Sequence, residues 1–340
     1  MDNEKIVKLE EPIITSYNAY AHLLALMQTW YGGTEAFQNW FVNQYLILKG
    51  FYHDLGTSFL FDDPFNENRM LNRFVDSMIL PREFIIRGKI DILDFLKEAI
   101  TKGYAVNLWL EQYYIPQNKR CFQKESGIHD PLIYGYNKEG FLLADFYDGK
   151  KYSLDNIVNF ECIRNGFYCN DADDLEASQN INNTLIVCAK PRSFMEYEYD
   201  PDKLKYAISR HLKGGRFING YKQDYIAGTE CYDFWIELLL KFPQRIEIRA
   251  AHVFLDHKKA ASRAIEYLMC NGRIRNGEQL RKEFHALAEL ARLARNMAIK
   301  YNIKKDDYII EKLIAIYRDM KQADKECFEK FYDAIDHHSG

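Results

Sequence analysis

The chain has 340 residues, beyond the ~250–300 at which a single core usually divides, so two domains are the first expectation. Apolar residues make up 47% and include 24 Tyr and 22 Phe, enough to bury a sizeable core, which excludes global disorder. A net charge of −4 with interspersed signs gives no support to a nucleic-acid or membrane-surface partner.

The opening MDNEKIVKLEEP lacks the apolar run that a signal peptide needs. No stretch of about 18 apolar residues is present that would cross a membrane. Cys121, Cys162, Cys169, Cys188, Cys231, Cys270 and Cys327 are odd in number, scattered and free of any CxxC pair. Neither a disulfide framework nor a structural zinc site is expected from them, and the expected compartment is the reducing cytoplasm.

In chain order, residues 15–30 are apolar on most faces and read as a buried core helix. A second helix is expected over 34–49, after Gly32-Gly33. From 103 to 188 short β-like runs dominate: around Trp109, over 131–137, 141–147 and 184–189. Asn137-Lys138-Glu139-Gly140 reads as a hairpin turn between two of them. Residues 166–183, with the acidic knot Asp171, Asp173, Asp174 and Glu176, read as a solvated loop. A linker is expected from Pro191 to Pro201. Beyond it helical periodicity takes over, with helices expected over 202–213, 229–241, 244–270, 278–300, 306–320 and 324–336. The expectation is an α+β chain, with one domain over 1–190 and a helical domain over 200–340.

His129 opens the strand HDPLIYGY and Asp145 closes the next strand, FLLADFY, so a hairpin brings an imidazole beside a carboxylate able to fix its tautomer. A lone His at a strand start is ordinarily structural. The correctly spaced Asp145 and the preceding buried helix tip the reading toward function. Asp130 and Asp148 compete as orienters. Asp130 is expected on the opposite strand face from His129, and Asp148 in an Asp-Gly turn. His22, on the apolar helix, reads as a satisfied core histidine. His252, Asp256 and His257 invite a metal reading, but a spacing of five is not the spacing of four that puts two His on one helix face. A polar helix flank is expected there, and no metal. The Gly pairs lack GxGxxG or Walker spacing, so no nucleotide cofactor is expected. The Arg-rich stretch 273–295 alternates with Glu278, Glu283 and Glu289 and reads as a solvated, ion-paired helix face.

The run from His129 through Asn137, the turn at Gly140 and then Leu142-Leu143-Ala144-Asp145 resembles the His/Asp half of bacteriocin-leader peptidases. It also resembles the N-terminal domain of BtrH-like acyltransferases of butirosin assembly, within the papain-like cysteine-hydrolase superfamily. Residues 242–268, with Arg249-Ala-Ala-His252 and Asp256-His-Lys-Lys259, look like a segment of the same BtrH-like proteins. The resemblance implies a papain-like domain whose nucleophilic Cys opens the buried helix, where the helix dipole favours a thiolate and an oxyanion. By register that position is Ala19, between Asn18 and Tyr20. No Cys occurs before Cys121, so the chain is either a Cys-to-Ala variant or a natural pseudoenzyme. Ser16 is a weaker nucleophile candidate, and Cys121 lies in a loop unsuited to the role. Ile13 stands where many papain-like enzymes carry an oxyanion-hole Gln; Asn18 or backbone N–H groups are candidates instead.

The implied activity is that of an amide synthetase, akin to the enzymes of closthioamide assembly. An acyl group would pass from a carrier-protein phosphopantetheine thioester to residue 19 and then to an amine acceptor, with His129 as base and Asp145 as orienter. No cofactor is implied. Two other readings stay open: a cysteine peptidase acting on a leader or other peptide, and a catalytically dead binding homologue.

Overall fold

A computed structural model of the chain describes residues 4–53, 56–68, 70–147, 151–169, 185–218, 224–244 and 246–335. Asp148, most of the expected 166–183 loop and its acidic knot lie outside these residues. The elements begin with β1 (Lys5–Ile6), α1 (Asn18–Tyr31), α2 (Glu35–Phe41), β2 (Leu48–His53), β3 (Gly56–Phe61) and β4 (Val75–Pro81). There follow α3 (Arg82–Arg87), α4 (Ile92–Thr101), β5 (Ala105–Leu108), β6 (Leu110–Glu111), β7 (Ile128–His129), β8 (Leu132–Tyr136), β9 (Phe141–Tyr147), β10 (Lys151–Val158), α5 (Phe160–Tyr168) and β11 (Leu185–Pro191). The remainder is α6 (Pro201–Lys213), β12 (Gly215–Ile218), β13 (Asp224–Ala227), α7 (Glu230–Lys241), α8 (Ile248–Cys270), α9 (Gly277–Lys304) and α10 (Asp307–Ala334). No described helix is long and apolar enough to cross a membrane.

The chain forms two compact units, each from two segments: 1–31 with 69–195, and 32–68 with 196–340. A single boundary near residue 190 therefore does not describe the fold. The first unit holds an antiparallel sheet in the order β10-β9-β8-β5-β11-β4, with β1 added on β8 and a separate β6–β7 ribbon. One face is covered by α4, whose Ile92, Leu93, Leu96, Ala99 and Ile100 recur at helical spacing and are buried. They pack with Val106, Ile133, Phe141, Leu143 and Phe167, each large side chain contributing about 1.5–3 kcal/mol. Asp91 caps that helix by accepting from the Leu93 and Asp94 amides at 2.8 and 3.3 Å, worth about 1 kcal/mol. The hairpin turn forms as expected: the Asn137 side chain accepts from the Glu139 and Gly140 amides. Gly140 is required by close approach, since a Cβ there would lie 2.1 Å from the Val158 carbonyl oxygen.

The second unit holds a four-stranded antiparallel sheet, β12-β13-β2-β3, and the helices α2 and α6–α10. The sheet joins residues 48–61 to 215–227, so strands from both sides of residue 190 share it. At Gly50 a Cβ would meet the Phe234 ring at 2.8 Å, so β2 lies close against α7. Residues 202–213, 229–241 and 244–270 form their helices much as expected. The helix expected over 34–49 ends at Phe41, because Tyr45 adopts a left-handed backbone (φ 61°) that a right-handed helix cannot continue. Its ring packs against Phe41 and Phe61 at 5.9 and 5.3 Å, which holds the unusual conformation. The two helices expected over 306–320 and 324–336 are one, α10, since Lys321, Gln322 and Ala323 between them favour helix.

Candidate functional site

In the antiparallel β8–β9 pair, Leu132 faces Ala144 and Ile133 faces Leu143. Residues preceding Leu132 therefore lie beside those following Ala144, which brings the His129–Pro131 segment alongside Asp145. His129 Nδ1 stands 2.8 Å from Asp145 Oδ2, within reach of a full hydrogen bond. Asp145 is completely buried, whereas the His129 side chain is 37% exposed. The carboxylate accepts at Oδ1 as well, from the Phe146 amide at 2.7 Å and from Asn18 Nδ2 at 2.9 Å. A carboxylate only accepts, so Nδ1 carries the proton and the imidazole presents Nε2 as its basic nitrogen.

The His129 end is braced from below. β7 pairs with β6, Leu110 facing His129. Buried Glu111 accepts from the Gly127 amide at 2.8 Å and from Ser126 Oγ at 2.6 Å, fixing the turn into β7. The Asp130 carbonyl accepts from Asn107 Nδ2 at 2.8 Å and from His22 Nε2 at 2.9 Å. His22 is the satisfied core histidine its position suggested, since its Nδ1 also meets Tyr152 Oη at 2.6 Å. Burial lowers the His22 pKa, opposed by Asp130 and Asp145, and burial with nearby carboxylates raises Tyr152 well above the usual phenol. Neutral His22 thus accepts from the Tyr152 hydroxyl and donates to the backbone.

Asp130 departs from its expected place. β7 ends at His129 and β8 starts at Leu132, with Pro131 unable to donate to a ladder, so strand alternation does not run through Asp130. Its Oδ1 instead accepts from Asn18 Nδ2 at 3.0 Å, and burial raises its pKa against the pull of His22 and His129. Asn18, the first residue of α1, is likewise corrected as an oxyanion donor. Its amide has two hydrogens, and two carboxylates already accept from it. Ala19 follows it and is exposed, not buried as a core methyl would be. Ser16 is buried and its hydroxyl makes no hydrogen bond among the described residues, none of which stands as a base to activate it. Cys121 is buried and burial raises its thiol pKa, the reverse of what a nucleophile needs. None of the seven cysteines forms a disulfide.

The expectation of a polar flank at residues 252–257 is overturned within the second unit. Asp256, His257 and Lys258 are completely buried. His257 donates from Nε2 to the Leu46 carbonyl at 2.8 Å and accepts at Nδ1 from the Lys258 ammonium at 2.8 Å. Lys258 also pairs with Asp324, whose Oδ2 accepts from His211 Nε2 at 2.9 Å and from the Tyr232 hydroxyl at 3.1 Å. Ligand atoms of His211, His257 and Asp324 lie within 4.8 Å of one another, and Lys258 supplies the positive charge among them. Burial alone would raise Asp324, but Lys258 and His211 hold its carboxyl far below the usual range.

Comparison of the chain with protein-family models and with curated proteins finds no match.

Proposed function

We propose that the first unit is a papain-like acyl-transfer scaffold in which His129 is the general base, Asp145 its orienter and position 19 the seat of the nucleophile. The observation that carries the reading is the His129–Asp145 bond, with a part-exposed imidazole on a buried carboxylate, beside the first residue of a buried helix. With Cys at 19, the thiol proton would pass to His129 Nε2 and the sulfur would attack the carbonyl of a carrier-protein thioester. The phosphopantetheine thiol would leave with that proton. An amine would then displace the Cys thiolate, losing its own proton to His129 and yielding an amide. N–H groups at the start of α1 would stabilise the oxyanion, the amide of Asn18 being engaged elsewhere.

Ala19 favours a second reading for the chain as it stands. A methyl group forms no acyl-enzyme, so the chain with Ala19 would hold an acyl thioester or a peptide without turnover. Intact-mass analysis after incubation with acyl thioesters tests the proposal. Ala19→Cys is expected to gain one acyl group, and Ala19→Cys combined with His129→Ala to acylate about 10²–10⁴-fold more slowly. No adduct on Ala19→Cys, or one indifferent to His129, sinks the acyl-transfer reading.

A further inference from the structure

The Asn18 carboxamide lies where three polar groups of the His129–Asp145 hairpin converge. Its nitrogen is 3.0 Å from Asp130 Oδ1, 2.9 Å from Asp145 Oδ1 and 3.3 Å from His129 Nδ1. Two carboxylates around one terminus identify that terminus as the NH₂ group, because an amide oxygen there would face acceptors alone. The His129 contact is not a third hydrogen bond. Nδ1 donates to Asp145 and has no lone pair left, and both amide hydrogens are already used.

We propose that Asn18 is a positioning residue that pins the start of α1 to the His–Asp hairpin and selects the His129 tautomer. Two physical effects combine. Its N–H and that of Phe146 converge on Asp145 Oδ1, which leaves Oδ2 turned toward His129. The same NH₂ places partial positive charge between Asp130 and Asp145, which would otherwise repel across the gap. Because Asn18 immediately precedes residue 19, the clamp fixes the nucleophile seat relative to the imidazole through a single Cα–Cα step. A helix of mostly apolar contacts slides or rotates at small cost; directional bonds to two carboxylates resist that motion. Naming His129 a base rests on the function proposed above, but the clamp itself is testable without any substrate.

Long-range ¹H–¹⁵N spectra of the imidazoles read the tautomer directly in the unsubstituted chain. His129 is expected mainly as Nδ1–H in its neutral form. In Asn18→Ala, with the thermal midpoint recorded to show that the fold persists, Nε2–H is expected to become the main form, as in a free imidazole side chain. Asn18→Ser keeps a polar residue that suits a helix start but is too short to span both carboxylates; the same switch is expected. Asp130→Asn, which leaves the Asn18–Asp145 bond, should retain Nδ1–H. Folded Asn18→Ala and Asn18→Ser chains that keep Nδ1–H would overturn the clamp while leaving the dyad intact. Should Asp145→Asn also keep Nδ1–H, the dyad itself is wrong, and the functional reading falls with the clamp.

Discussion

The two units each carry a histidine–carboxylate pair of nearly equal length, 2.8 Å for His129–Asp145 and 2.9 Å for His211–Asp324. Their surroundings are opposite. His129 is 37% exposed and the charge on its partner is balanced by neutral donors, Asn18 and the Phe146 amide. His211 and Asp324 have no exposed surface, and a Lys258 ammonium with equally little exposure neutralises the carboxylate. Distance alone does not mark a working dyad. What separates the two is whether a ring nitrogen can meet solvent and substrate, and whether a resident cation has already satisfied the anion. The first arrangement can move a proton; the second holds helices together.

The sharpest way to break this contrast is to remove the cation. Lys258→Met leaves Asp324 as a buried carboxylate without its ammonium, and about 3–5 kcal/mol of stability is expected to go, read as a lowered denaturant midpoint. A loss under about 1 kcal/mol would mean that the histidines carry the charge instead.

Acid comes next in size. Burial lowers the pKa of His211 and His257, Lys258 pushing both the same way and Asp324 opposing. These folded-state values lie below the 6.5 of the unfolded chain, so from about pH 6.5 downward the unfolded state binds protons that the folded state refuses. Stability is present above that pH and is expected to fall by about 1.4 kcal/mol per histidine per pH unit below it. Urea melts at pH 7, 6 and 5 measure the slope. The replacement of both histidines should flatten it, and an unchanged slope would place the linkage elsewhere.

The smallest expected effect is on the other pair. His129→Ala removes a part-exposed ring from a carboxylate that keeps two other donors, so stability should change by less than about 1 kcal/mol. A larger loss by thermal melt would make His129 a structural histidine, like His211, and weaken its assignment as base.

The first pair was legible in the sequence because a hairpin makes it local: sixteen residues and one Asn/Gly turn separate His129 from Asp145. Its brace was not. Asn18 and Asp130 are 112 residues apart, and Pro131 breaks the alternation that had placed Asp130 on the far face. The second cluster did leave a signal. Lys258 falls on the apolar row of Ala251, Phe254, Ala261 and Ile265, and Asp324 on that of Leu313, Tyr317, Met320 and Phe331. A charge on an apolar stripe, matched by its opposite on another helix, points to a buried pair. The long C-terminal helices were plain from periodicity, except that α10 was read as two shorter ones. The β2–β3 hairpin was hidden because its partner strand, β13, follows after more than 150 residues, and a linear reading seeks one change of character along the chain.

That interleaving has a consequence for synthesis on the ribosome. Residues 32–68 emerge early, but the strand and helices that cover them arrive only after residue 196. Until then Phe59 and Phe61, both buried in the finished unit, have no partner from α8 or β13. The nascent chain carries an unshielded hairpin edge while the first unit takes shape, the kind of surface that chaperones hold and that aggregates recruit. Neither unit exists as a continuous stretch of chain, so a cut in the 192–200 linker does not yield two domains: the N-terminal fragment keeps the first unit with residues 32–68 stranded inside it, and the C-terminal fragment lacks the β2–β3 hairpin of its own sheet.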